Sequence, residues 1–121
     1  EGEGARLENL VACSLQKELH LVEDIFGLRT GLHYLRTKEG KELDFLITIE
    51  EKPILIIEVK VADDNPSPHF STFNKYFPQI PKLQLVQTLL REKDYDWGLK
   101  IRKVSDYLTS IDLKSVYEEY H

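Results

Sequence analysis

The first periodic signal along the chain is Ala5–Leu21, where Leu7, Leu10, Val11, Leu15 and Leu19 recur roughly three and four residues apart. That spacing predicts a helix with one apolar stripe. Gly27 and Gly31, with Thr30 between them, interrupt the pattern and predict a loop. Leu32–Arg36 reads as a short strand, and residues 37–41 around Gly40 as a turn. The period then changes. Over Glu42–Ile49, Leu43, Phe45, Ile47 and Ile49 alternate with Asp44, Leu46 and Thr48, as a strand does. Past the polar connection Glu50-Glu51-Lys52-Pro53, Ile54–Val61 is almost wholly apolar, as strands buried on both faces are. The two predict a hairpin.

Beyond it, Ala62–Pro68 holds two prolines and reads as a loop. Phe70, Phe73 and Phe77 share one face of a short helix over His69–Phe77 and are read as core rather than as a base-stacking platform. Leu83–Gln87 and Leu99–Ile101 read as strands, Asp94–Trp97 as punctuation, and Val104–Ile111 and Leu113–Tyr120 as helices. The order α-β-β-β-α-β, followed by a helical tail, predicts a single α/β domain over residues 1–121.

Composition narrows the class of protein. With 41% hydrophobic and 31% charged residues the chain is not a disordered polymer. Its longest apolar run, Ile54–Ile57, is far too short to span a bilayer, and the N-terminus has no secretory pattern, so a cytoplasmic protein without membrane contact is expected. One cysteine, Cys13, excludes an internal disulfide and is read as a small residue near the apolar side of the first helix. His20, His33, His69 and His121 show no zinc spacing. The net charge of −5 provides no global basic field for nucleic acid. Methionine is absent even at position 1, and Glu1-Gly2-Glu3-Gly4 resembles the end of a linker, so a domain cut from a longer chain is expected.

The chemistry concentrates in the hairpin. Glu58 and Lys60, two apart in an apolar strand, share a face and need compensation if buried. Alternatively they mark the strand's exit, where solvent or mutual pairing satisfies them. Asp44 interrupts the partner strand. A three-residue connection, Glu50–Lys52, would set Asp44 directly across from Glu58, with Cβ atoms about 4.5–5.5 Å apart. A four-residue connection would send the two acids to opposite faces. Facing carboxylates repel unless a proton or cation lies between them, and an all-oxygen set suits Mg²⁺ or Mn²⁺. Glu8 lies at the edge of the first helix's apolar stripe, either as a third acid for this group or as an ordinary acid near a helix start. Arg36 and Lys41 flank the turn before Asp44, as solvated surface charge or as phosphate contacts.

Asp44 followed 14 residues later by Glu58-Val59-Lys60, after a helix bearing an acid, resembles the PD-(D/E)xK nuclease superfamily and its restriction-endonuclease-like fold. Leu7-Glu8-Asn9-Leu10-Val11-Ala12, Tyr34-Leu35-Arg36-Thr37, Gly40-Lys41-Glu42-Leu43-Asp44-Phe45 and Ile57-Glu58-Val59-Lys60 resemble one branch of it, the uncharacterised C-terminal domain of prokaryotic AAA-type ATPases. The resemblance implies a mixed central sheet flanked by helices. It implies that Asp44, Glu58 and Glu8 ligate Mg²⁺ or Mn²⁺, and that Lys60 holds the attacking water or the scissile phosphate. It further implies an upstream ATPase module in the same chain and DNA as the partner, weakly held by this acidic domain alone, with a homo-oligomer as one way to strengthen the grip. The proline of the name-giving motif is replaced by Leu43. A nuclease acting on DNA is the expectation. The alternative is a catalytically silent, nucleic-acid- or protein-binding regulatory module that keeps the fold.

Overall fold

A computed structural model describes residues 2–38, 40 and 42–120. The chain runs α1 (Glu3–Phe26), β1 (Thr30–Arg36), β2 (Glu42–Ile49), β3 (Lys52–Lys60), α2 (His69–Asn74), β4 (Lys82–Val86), β5 (Lys93–Asp94), β6 (Leu99–Lys103), α3 (Val104–Thr109) and α4 (Leu113–Tyr120). One mixed sheet in the order β1-β2-β3-β4-β6-β5 forms the centre. β1, β2 and β3 are antiparallel neighbours, β3, β4 and β6 are parallel, and β5 closes the far edge antiparallel. This is a mixed α/β fold, as the element pattern predicts. Among the described residues, no helix is long and apolar enough to cross a membrane.

Burial explains the layers. α1 hides Leu7, Val11, Leu15, Leu19 and Val22 against Phe45, Ile47, Ile49, Leu55 and Ile57, in a core that Val104 and Leu113 extend. On the other face Phe70 and Phe73 of α2 pack with Leu43, Leu46, Ile56, Val86, Leu99 and Ile101. The true stripe of α1 steps by four, four, four and three residues. Leu10 falls off it and is 55% exposed. Cys13 lies about 180° round the helix from the stripe and is exposed, contrary to the reading of it as a packed residue.

Several boundaries move. α1 begins at Glu3, so the linker-like Glu3-Gly4 belongs to the helix, which runs on to Phe26 and ends at Gly27. Gly27 adopts a left-handed φ of 68° and donates its N–H to the Glu23 carbonyl, an ending that glycine makes cheap. Gly31 is not a loop residue but part of β1. A Cβ there would lie 2.6 Å from His33 Nε2 on the same strand and 2.7 Å from Thr48 Oγ1 across the sheet, so those side chains would have to shift to admit one. α2 is shorter than the Phe spacing predicts, and Lys93–Asp94 adds a strand that the pattern does not signal.

The hairpin has a tighter tip than expected. Ile49 pairs with Lys52, leaving Glu50 and Glu51 as a two-residue turn with φ of 53° and 67°. Positive φ at both turn residues matches the right-handed strand twist. A bulge then restores the register: Thr48 pairs with Pro53 but Ile47 with Leu55, so Ile54 is the extra residue. From there Leu46 faces Ile56 and Phe45 faces Ile57, and continuing this register sets Asp44 across from Glu58.

Candidate functional site

A second bulge aims Asp44. β1 pairs His33 with Leu46 but Leu35 with Leu43, so Asp44 and Phe45 together oppose the single residue Tyr34. The phase break is visible in packing: Leu43 and Phe45, which a regular strand would put on one face, belong to opposite cores. Such bulges redirect side chains, commonly beside functional sites.

At this point the two strands exchange side-chain bonds. The Asp44 N–H donates to Glu58 Oε1 (3.2 Å), and the Val59 N–H donates to Asp44 Oδ2 (2.7 Å). Glu58 is only 3% exposed and collects further partners. Ser67 Oγ donates to its Oε2 at 2.9 Å, His69 Nδ1 lies 3.1 Å from the same oxygen, and the Lys60 ammonium lies 3.7 Å from it. The loop that brings Ser67 is itself pinned by Gln84, fully buried on β4 beside Glu58. Gln84 Oε1 accepts the Ser67 N–H (2.8 Å), while its Nε2 donates to the carbonyls of Asp63 (3.2 Å) and Asn65 (2.7 Å).

Glu8 completes the group from α1, about 40° round the helix from the centre of the buried stripe. Burial, the Asp44 charge and a hydrogen bond with Asp44 push its carboxyl above the usual range. Asp44 is pushed up to about 6, first by burial and next by the Glu58 charge. Three acids therefore crowd together with one ammonium beside them, and protons take up part of the missing positive charge.

The donor chemistry of this group suits a hard divalent cation. Among the described residues, however, no group of three or more His, Cys, Asp or Glu side chains is placed as a ready-made metal cage.

The structure thus brings together Glu8, Asp44, Glu58 and Lys60, all four read from the sequence. Arg36 stands to one side, its guanidinium bound to Glu42 through Nε (2.8 Å) and Nη2. Lys41 lies outside the described residues. Sequence reasoning missed Ser67, His69 and Gln84. The available signals were a serine held between Pro66 and Pro68, and a lone amide in the apolar run Leu83-Gln84-Leu85-Val86.

Neither the curated proteins nor the solved structures provide a match to this chain. A family model, the domain of unknown function DUF4143, matches residues 3–107, from the start of α1 into α3, and so includes every residue of the acidic group. The chain belongs to the DUF4143 family.

Proposed function

We propose that this domain is a metal-dependent phosphodiesterase of the PD-(D/E)xK type, acting on DNA as the C-terminal part of an AAA-type ATPase. The convergence of Glu8, Asp44 and Glu58 beside Lys60 is the observation that carries the reading. Asp44 and Glu58 would hold Mg²⁺ or Mn²⁺, with Glu8 as the third acid. Bound there, the cation supplies an acidified water and neutralises charge on the phosphate.

The protein's own parts have separable tasks. Ser67 and His69 fix the Glu58 carboxyl, and Gln84 fixes the loop that carries Ser67. The Val59 N–H holds Asp44 Oδ2. Lys60, with a side chain 30% exposed, is a compact point charge able to meet a phosphate oxygen or orient water at the rim.

The test is incubation with plasmid and linear DNA in Mg²⁺ or Mn²⁺. Metal-dependent cleavage is expected, and cleavage that survives Asp44→Ala would assign it to another site. A second reading, a silent regulatory module, draws on the acids' engagement with protein donors and with one another. It expects intact DNA in every metal. Calorimetric titration with Mn²⁺ separates a silent but metal-binding site from one that binds no ion.

A further inference from the structure

Next to the acids, the end of β1 and the turn after it face α2 across a groove of about 480 Å³, lined by Arg36, Thr37, Lys38, Phe73, Tyr76 and Phe77. Its volume is within the ~300–1,000 Å³ range of small-molecule sites. Phe73 is buried and forms the floor, while Tyr76 is 63% exposed. The two rings lie 6.4 Å apart, centroid to centroid, at 54°. The tyrosine is thus braced from below with its ring still open to solvent. Lys38 is exposed and forms no ion pair among those of the described residues. Arg36 adds a second cation, paired with Glu42 among the described residues. In a chain of net charge −5, two cations beside an exposed ring make a local environment suited to an anion with a flat apolar part.

Both walls of the groove belong to elements that lead to the acidic group. Arg36 pairs with Glu42, two residues before Asp44, and α2 opens at His69, which touches Glu58. We propose that this groove is a subsite for an unpaired nucleotide, with the base stacked on Tyr76 and its phosphate met by Lys38. The substrate strand would then be single-stranded or frayed next to the acids. This deepens the phosphodiesterase reading and rests on it for the position of the neighbouring phosphate.

The experiment is fluorescence anisotropy at low salt without divalent metal, using labelled oligothymidine of about 12 nucleotides and a blunt duplex of equal length. Tyr76→Ala is expected to weaken single-strand binding about tenfold and duplex binding less than about twofold, with Tyr76→Phe restoring the former. Lys38→Ala is expected to lower the salt slope by about one. No single-strand binding by the wild type, an unchanged affinity in Tyr76→Ala, or an equal loss on both probes would overturn the subsite. Tyr76-dependent binding with DNA left intact in Mg²⁺ would keep the subsite and refute turnover. Asp44-dependent cleavage with Tyr76→Ala binding unchanged would do the reverse.

Discussion

Glu58 and Lys82 are equally hidden, each 3% exposed, on adjacent parallel strands. Their surroundings differ completely. Glu58, near the carboxyl end of β3, receives a backbone N–H, a serine hydroxyl, a histidine and an ammonium, and faces a second acid. Lys82, the first residue of β4, has the Ile80 carbonyl at 3.0 Å, and burial lowers its pKa. Burial of charge is therefore not the mark of a site by itself. What sets Glu58 apart is the convergence of other polar groups on it, near the carboxyl end of β3.

Activity should separate the two residues most clearly. If the carboxyl end does the chemistry, Glu58→Gln lowers metal-dependent DNA cleavage by about 100-fold or more. Lys82→Met leaves the rate within about twofold, in the range expected for a substitution away from the reacting groups. Similar losses in both variants would erase the distinction.

Stability comes next. Gln84→Leu strips partners from the Ser67 N–H and from the carbonyls of Asp63 and Asn65 in one step. It should cost about 2–4 kcal/mol in urea unfolding. Lys82→Met removes a desolvated ammonium and one hydrogen bond, and is expected within about 1 kcal/mol of the wild type. The two ends then differ in how much structure depends on their polar groups.

The acid cluster was largely legible because its strands are strongly patterned. Alternation in Glu42–Ile49 and the apolar run after it expose Asp44 and Glu58 as interruptions, and the stripe of α1 puts Glu8 at its edge. The expected three-residue connection is not present, yet the two-residue turn plus the bulge at Ile54 brings Asp44 to the same partner. The rest was hidden for physical reasons. Gly31 sits in a strand where the His33 and Thr48 side chains occupy the space of a Cβ, and loop statistics do not register such contacts. Ser67, His69 and Gln84 meet Glu58 only through a parallel crossover, which leaves no periodic trace. β5 is two residues long, below any periodic signal.

The two residues should also differ, more modestly, in how pH acts on stability. Asp44 has a folded pKa of about 6 against an ordinary 3.8, so between these values the folded chain keeps a proton that the unfolded chain has lost. Stability of the metal-free protein should fall as pH rises through that window, by about 1–2 kcal/mol after solvent screening, and Asp44→Asn should flatten the fall. Lys82 works with the opposite sign. Its pKa is lowered from 10.5, so below that value the unfolded chain binds more protons and stability rises with pH. Lys82→Met should remove this alkaline rise. Urea midpoints across pH measure both.

The bulge at Ile54 acts as a spacer between two ways of counting along the hairpin, one for its tip and one for its acids. Excising Ile54 alone would leave Thr48 opposite Pro53 and Ile47 opposite Leu55, so Asp44 would still meet Glu58, although a fully buried side chain would be lost. Excising it while inserting one residue between Glu50 and Glu51 would lengthen the turn to three residues and keep Asp44 opposite Glu58. The pairing of the acids therefore does not hang on the length of the turn alone, and hairpins of different shape can present the same acidic group.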